Sequence, residues 1–296
     1  MARSVTSFRP NDPLTQGELS DLVATLTQGA PRPAPDPAAP VTMAQLDARL
    51  VRVLGLSDEA ASFYDSATAA GLRPPARFGT EVVARLLGLR TNHPAGQDAL
   101  ERLPNDPAPR AEVAFSVARL LAVSTAEKTQ IEDEAATFEL PVLTTWQQRV
   151  LTTAIRFIGY PYVWGGEFER PQSPYGPQAQ GGFDCSGFAW RVYKVQSYPS
   201  APQLADTLRG RTAAAMAGEV PRRTRIKPGR LWPADLMFFG PGGPKAQPSR
   251  VDHVAIYLGN GWLIQSSRYG VDLEPLSGWY QRRLAWGRRP LAEAGL

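Results

Sequence analysis

The only cysteine of the chain, Cys185, precedes apolar residues at helical spacing, namely Phe188, Ala189, Val192 and Val195. This pattern predicts that the sulfur lies at a helix N-terminus. Unpaired N–H groups and the helix dipole there stabilise a thiolate, which lowers the pKa of a cysteine from about 8.5 toward neutrality. A lone cysteine also packs as a small apolar residue, so the local pattern leaves both interpretations open and the partner residues must decide.

A nucleophilic cysteine needs a base, and the chain has two histidines, His93 and His253. His93 lies in the segment TNHPAG, which is typical of a solvated loop. His253 begins a predicted strand in the same half as Cys185, where an imidazole could take the thiol proton and return it to a leaving amine. The candidates to orient that imidazole are Gln265 and Asp252, although the neighbouring position of Asp252 turns it to the opposite face of the strand.

The hairpin that carries His253 and Gln265 makes a geometric prediction. A three-residue or bulged loop over 259–261, with Gly261 left-handed in the bulge, pairs residue 256 with 264 and places both side chains on one face. An unbulged two-residue loop would place them on opposite faces. We predict that the Gln265 oxygen accepts the Nδ1 proton of His253 and leaves the other ring nitrogen toward the cysteine.

The second half of the chain shows helical patterns first and short strands afterwards. Residues 145–148 match a capping box that begins a helix, and strands are predicted over 236–240, 252–259 and 262–267. This order is typical of an α+β layout.

The first half contains an internal repeat. Three similar segments begin at Pro13, Pro40 and Pro107, and each predicts a turn followed by a helix. The first two open on the capping-box pattern T-x-x-E/Q, at Thr15 and Thr42, in which side chains satisfy the first N–H groups of the helix. An all-helical repeat architecture is therefore predicted.

At 296 residues the chain is long for one core, and we predict two domains, 1–140 and 141–296. The net charge is −5 for the first part and +9 for the second, so the second part suits an anionic polymer. No nucleic-acid partner is expected, since the basic strands of RNA binders with their interleaved aromatics are missing. One cysteine excludes an intrachain disulfide, and neither a metal nor another cofactor is expected.

The sequence contains no run of eighteen apolar residues, so no membrane span is expected. Its start, MARSVTSFRPNDPLT, lacks the apolar core of a secretory signal. Export by another route and an incomplete start are both compatible with this beginning.

Four motifs of the second half resemble one family. D-C-S-G-F begins at Asp184, P-Y-V-W-G-G at Pro161, P-A-D-L-M-F-F at Pro233 and D-H-V-A-I-Y-L-G-N-G at Asp252. Over residues 142–290 they resemble the NlpC-type cell-wall cysteine peptidases. This resemblance implies a papain-like α+β domain that cuts peptidoglycan stem peptides, typically between D-glutamate and the next, diamino residue.

The resemblance also implies catalytic roles. By it, Cys185 is the nucleophile, His253 is the base, and Gln265 occupies the orienting position, where the family carries His, Asn or Gln. It places the Tyr162 hydroxyl beside the oxyanion, together with the backbone N–H of the cysteine.

Further positions are implied to contact the substrate. Asp184 and Ser186 would contact its amino end, and Trp164 belongs to the same aromatic motif as Tyr162. Each has a simpler interpretation, because the aromatics could pack in the core and Asp184 could cap a helix. Ala234 departs from the family, which usually has glycine there, and a change of turn is expected.

The repeat spacing and the segment FYDSATAAGL, residues 63–72, resemble S-layer homology repeats, helical modules that hold exported bacterial proteins on secondary wall polymers. The likeness covers roughly residues 8–125. That family's loop motif is T-R-A-E, whereas the copies here read TQGE from Thr15, TMAQ from Thr42 and PRAE from Pro109. Only the third copy keeps the arginine, and the acidic balance of this half opposes binding of an anionic polymer.

The sequence therefore predicts a secreted or wall-associated bacterial peptidoglycan endopeptidase with a Cys-His-Gln site behind a helical wall anchor. Its predicted partners are peptidoglycan stem peptides and an anionic secondary wall polymer. Three alternatives stay open: a wall-binding scaffold with an inactive site, a phage-type lysin or antibacterial effector, and a cysteine acyltransferase.

Overall fold

The computed structural model describes residues 8–90, 92–94 and 96–296, so residues 1–7 of the predicted first domain lie outside the described residues. The helices are α1 Gln16–Thr27, α2 Met43–Val53, α3 Ser57–Ala69, α4 Phe78–Leu86, α5 Arg110–Leu121, α6 Thr125–Thr137, α7 Thr145–Ile155, α8 Cys185–Trp190, α9 Ala213–Gly218, α10 Gly278–Arg283 and α11 Pro290–Glu293. Within the described residues, no helix is long and apolar enough to cross a membrane.

The strands of the described residues all lie in the second half. They are β1 Glu167–Phe168, β2 Gln172–Ser173, β3 Gly176–Pro177, β4 Gly182–Phe183, β5 Leu236–Phe239, β6 His253–Gly259, β7 Trp262–Ser267, β8 Gly270–Pro275 and β9 Leu284–Arg288. The main sheet is antiparallel in the order β8-β7-β6-β5-β9, and β1 pairs with β4 and β2 with β3. Helices followed by an antiparallel sheet confirm the predicted α+β class.

One face of the main sheet packs against helices of both halves. The apolar set expected from strand alternation is buried there in a single cluster: Val254, Ile256, Leu258, Trp262 and Ile264. Trp262 of β7 meets Phe63 of α3 and Phe138, which follows α6, with ring centroids 5.9 and 5.0 Å away. The helical half and the sheet therefore share one core.

The three repeat segments meet in a closed ring of backbone hydrogen bonds. The N–H of Leu14 donates to the carbonyl of Ala108 at 2.9 Å, that of Ala108 to Val41 at 2.8 Å, and that of Val41 to Leu14 at 2.8 Å. These residues lie just before α1, α5 and α2, so the sequence repeat corresponds to a structural one.

Capping boxes begin several of the helices. Those at Thr15 and Thr42 are present as predicted. The box predicted over 145–148 lies one residue earlier, because Thr144 caps α7 and Gln147 closes the box. Adjacent threonines and adjacent glutamines make both registers possible in sequence, and the structure uses the first.

Ala234, at the position where the resembling family has glycine, adopts a left-handed backbone with φ 68°. It is buried, and its carbonyl accepts the hydroxyl of Tyr193 at 2.5 Å. A β-carbon in this conformation costs about 1–2 kcal/mol. Ala234→Gly should therefore raise the free energy of unfolding by about 0.5 kcal/mol, after the larger entropy of the unfolded glycine is included.

Urea unfolding of the purified variant measures this effect. Ala118→Gly is the control, because Ala118 lies in the interior of α5 with an exposed side chain, and this variant should lose about 1 kcal/mol. If both variants were destabilised equally, Ala234 would carry no backbone strain.

Candidate active site

The elements around Cys185 explain how the sulfur reaches the first turn of α8. Asp184 caps this helix, and its Oδ1 accepts the N–H of Gly187 at 2.5 Å. A β-carbon on Gly187 would lie 1.8 Å from the carbonyl oxygen of Gly166, so glycine is required where the helix crosses the G-G motif. The predicted position of Cys185 at a helix N-terminus is confirmed.

The hairpin between β6 and β7 differs from its prediction. Asn260 and Gly261 form a two-residue turn with both φ angles positive, 46° and 81°, as an Asn-Gly pair favours. The extra residue lies earlier, in a bulge between residues 257 and 259, where Gly259 has φ 113°. The three-residue form of the predicted loop is therefore wrong, and the bulge of the other form lies before the turn rather than within 259–261. The predicted pairing of Ile256 with Ile264 is confirmed.

This register brings Gln265 next to His253. The Oε1 atom of Gln265 lies 2.6 Å from Nε2 of His253, which donates the hydrogen bond. The hydrogen bond was predicted through Nδ1, so the assignment of the two ring nitrogens is corrected. With Nε2 protonated, Nδ1 of the neutral ring is the free acceptor.

The sulfur of Cys185 lies close to the start of β6. Burial raises the pKa of Cys185 to about 12, and the Asp184 carboxylate adds to this. Hydrogen bonds from the backbone N–H groups of Val254, which follows His253, and of Ser186 act in the opposite direction. The expected pKa near neutrality is thus wrong, because burial outweighs the helix N-terminus, and the thiol needs a base to lose its proton.

Aromatic rings enclose the imidazole of His253. The rings of Phe239, Trp279 and Tyr280 have their centroids 5.6, 6.3 and 6.3 Å from that of His253. Burial lowers the pKa of His253, although the hydrogen bond to Gln265 opposes this. The neutral ring, the form that accepts a proton, is favoured.

Asp252, the other candidate orienter, is not bonded to the imidazole. Its carboxylate forms an ion pair with Arg283 and its side chain is 54% exposed. Gln265 is the residue that holds the ring.

An open cleft of about 900 Å³ lies beside His253. Tyr162 and Trp164 line it, and Trp164 is 76% exposed, so it is not a core aromatic. Burial, followed by the charge of the Cys185 sulfur, raises the pKa of Tyr162 and keeps its hydroxyl protonated near that sulfur. Among the described residues no group of three or more His, Cys, Asp and Glu side chains could hold a metal ion.

The helical half forms one wall of this cleft. Asn92, His93 and Asp98 line it; Asn92 donates to the carbonyl of Tyr162 at 2.6 Å, and Asp98 accepts the N–H of Trp164 at 3.0 Å. His93 is not the solvated loop residue that was predicted, since its ring lies between two glutamates and is 23% exposed. The sequence offered no pattern that connects this loop to the cysteine.

The sequence did not predict a role for Arg211, which lies in an irregular connection. It donates to Asp184 at 3.0 Å, to Ser186 at 2.9 Å and to Glu167 at 2.8 Å, and also to the carbonyls of the G-G motif. Asp184 and Ser186 are therefore joined in one network beneath the cysteine helix. Their predicted contact with the substrate stays a prediction.

The NlpC/P60 family profile matches residues 159–289. Over 135 residues, 45% of this chain and 41% of the relative, the sequence is 33% identical to the murein DD-endopeptidase MepH of Escherichia coli (strain K12). Over 137 residues, 46% of this chain and 21% of the relative, it is 31% identical to the probable endopeptidase p60 of Listeria grayi.

The third relative is the gamma-D-glutamyl-L-lysine dipeptidyl-peptidase of Bacillus subtilis (strain 168), 29% identical over 147 residues, 49% of this chain and 41% of that protein. The chain spans less than half of the length of each of these relatives.

The family match confirms the predicted fold class, a papain-like α+β domain behind a helical half.

Proposed function

We propose that this chain, whose residues 159–289 form an NlpC/P60 domain, is a cysteine endopeptidase that hydrolyses amide bonds of peptidoglycan stem peptides. One observation carries the proposal: His253, bonded to the buried Gln265, lines an open cleft, and the N–H of the next residue, Val254, bonds the Cys185 sulfur. The names of the relatives, endopeptidases and a peptidase, support the same reaction class.

The reaction proceeds through an acyl-enzyme. Nδ1 of His253 takes the proton of the Cys185 thiol as the sulfur attacks the carbonyl carbon of the amide. Nε2 keeps its own proton, which stays hydrogen-bonded to the oxygen of Gln265. The imidazolium then protonates the leaving amine as the C–N bond breaks. Water, deprotonated by the same imidazole, hydrolyses the thioester and returns the thiol.

The oxyanion of the tetrahedral intermediate needs donors. The backbone N–H of Cys185 at the N-terminus of α8 is one, and the protonated Tyr162 hydroxyl is the other. Trp164, exposed at the cleft, provides an aromatic surface for the substrate, and Asp184 and Ser186 contact its amino end in this proposal.

The bond that we propose is the one between D-glutamate and the next, diamino residue. The γ-D-glutamyl name of the Bacillus relative supports this choice, whereas the DD-endopeptidase name of the Escherichia relative describes a different bond. Digestion of purified muropeptides, with the product ends identified by mass spectrometry, tests the proposal. A product with a new D-glutamyl carboxyl end is expected, and cleavage only at D,D cross-links would contradict the bond but not the reaction class.

The pH profile of kcat/KM tests the base. Because burial lowers the pKa of His253, the imidazole stays neutral at pH values where an exposed histidine is charged. Activity should fall on acidification with a midpoint below the ordinary value of about 6.5. A midpoint above that value, measured on a soluble stem peptide, would mean that the base is not the buried His253.

For the first half we propose degenerate S-layer-homology-like repeats that anchor the chain to an anionic wall polymer, with the domain boundary between residues 140 and 141. The ring of hydrogen bonds joining the three repeats supports the repeat architecture. An extracellular or wall-associated location follows from the proposed substrate. Retention of the full chain on purified walls, compared before and after removal of the secondary polymer, tests the anchor.

A further inference from the structure

The amide of Gln265 can face His253 with either of its two ends, and only one of them supports catalysis. With the oxygen toward the ring, Nε2 of His253 is protonated and Nδ1 is free to take the thiol proton. With the NH₂ group toward the ring, Nε2 becomes the acceptor, the proton moves to Nδ1, and no free base faces the sulfur. Some group must fix this orientation.

Two acceptors face the NH₂ end of the amide. Nε2 of Gln265 donates to the hydroxyl oxygen of Tyr280 at 2.5 Å. Asp272 of β8 pairs directly with Gln265 across the strands, so the two side chains share one face, and both are almost fully buried. A carboxylate only accepts hydrogen bonds, so it repels the amide oxygen and favours the NH₂ group.

Asp272 has one oxygen free for this interaction. Its Oδ2 accepts the hydroxyl of Ser267 at 2.7 Å, whereas Oδ1 has no hydrogen-bond partner among the described residues. If the amide flipped, its oxygen would lie beside this unsatisfied acceptor in a buried site, which is costly. The flipped amide is therefore disfavoured.

Resting on the function proposed above, we infer that Asp272 and Tyr280 are positioning residues that hold the oxygen of Gln265 toward His253 and thereby fix the imidazole tautomer. Neither residue touches the reacting atoms in this inference. Both act through the amide.

Asp272 favours the NH₂ end of the Gln265 amide when its carboxyl group is ionised. Burial raises the pKa of Asp272 to about 7, and Ser267, Arg85 of α4 and the Gln265 amide oppose the rise. Assays at a pH of about 8.5 therefore keep the carboxylate charged.

Asp272→Asn tests the inference, because asparagine keeps the shape but presents an NH₂ group that can bond the flipped oxygen of Gln265. We expect kcat on a soluble stem peptide to fall about 10- to 100-fold, with KM unchanged within about twofold. The imidazole ¹⁵N spectrum of His253, recorded in a His93→Gln background that leaves one histidine, should change from protonated Nε2 toward protonated Nδ1.

A second substitution should rescue the first. In the double variant Asp272→Asn Gln265→Glu, the glutamate has only acceptors, so it accepts from the new amide at position 272 and from Nε2 of His253 at once. Activity should recover at least about fivefold over Asp272→Asn, and the Nε2-protonated spectrum should return. Gln265→Glu alone places two carboxylates together and should be worse than the double variant.

Tyr280→Phe removes only the hydroxyl and should lower kcat by about 3- to 10-fold; Tyr175→Phe, at an exposed tyrosine, should leave it unchanged. An unaltered tautomer in Asp272→Asn, or a double variant no better than the single one, would overturn the inference. The ¹⁵N spectrum needs no substrate, so it tests the tautomer even if the wild-type chain proves inactive on muropeptides. Such inactivity would contradict the proposed function and not the inference about Asp272 and Tyr280.

Discussion

Cys185→Ala is expected to abolish stem-peptide hydrolysis, with kcat/KM lowered by about 10⁴-fold or more. The chain contains no other thiol that could replace it. The cleft and the proposed oxyanion donors survive the substitution, so substrate binding should persist while turnover stops. Initial rates on purified muropeptides measure the loss, and residual activity near that of the wild type would remove Cys185 as the nucleophile.

His253→Ala should cause a loss of similar size, because nucleophile and base act as a unit. The double variant should then be no slower than either single variant. Cys185→Ala removes one buried atom and should keep the thermal midpoint within a few degrees of the wild type. A large fall in that midpoint would attribute the inactivity of Cys185→Ala to unfolding instead.

The position of the site was predictable from local patterns in the sequence. The apolar spacing after Cys185 indicated a helix beginning at the sulfur, and strand alternation selected Gln265 over Asp252. What the sequence did not determine is which ring nitrogen of His253 bonds Gln265, because this depends on the direction from which β7 approaches the ring. The raised pKa of Cys185 was equally hidden, since burial is a property of the whole fold.

Site residues that lie outside the recognised sequence motifs were not predicted. Arg211 lies in an irregular connection, and Tyr280 lies in a short helix with no recognised motif, yet both bond residues of the site. The loop with Asn92 and Asp98 belongs to the other half of the chain. Tertiary packing alone brings these side chains to the cleft, and one sequence contains no local signal for such contacts.

The same packing buries charged residues between the helical first half and the second half, which contains the main sheet. The side chain of Arg85 of α4 is 1% exposed, and its guanidinium donates to the carbonyls of Gly159 and Tyr269 in the second half. Glu81, 0% exposed, lies 3.7 Å from it, and Arg90 and Asp47 form a second buried pair beside them. Two cations thus lie against two carboxylates in a buried region, and Arg85 also attracts the carboxylate of Asp272.

Arg85→Met should therefore destabilise the protein strongly. Methionine fills much of the volume, but two carboxylates are left with one cation, and two carbonyls lose their donor. Removing one partner of a buried ion pair costs about 3–5 kcal/mol, and we expect that range in urea unfolding at a pH of about 8. Arg52→Met, at an exposed arginine of α2, is the matched control and should change stability by less than about 0.5 kcal/mol.

The charge balance predicts how this loss depends on pH and on a second substitution. Burial and then Glu81 already raise the pKa of Asp47 to about 7, against Arg90 and Arg85. Without Arg85 the pKa of Asp47 in the folded protein rises further above its value in the unfolded chain. The variant therefore loses stability as the pH rises, and its deficit relative to the wild type should be larger at a pH of about 8 than at about 6. Glu81→Gln in the Arg85→Met background restores one cation to one carboxylate, and it should recover at least about 1 kcal/mol at the higher pH. A deficit that is independent of pH and unaffected by Glu81→Gln would mean that Arg85 stabilises the two halves through its hydrogen bonds and packing rather than through its charge.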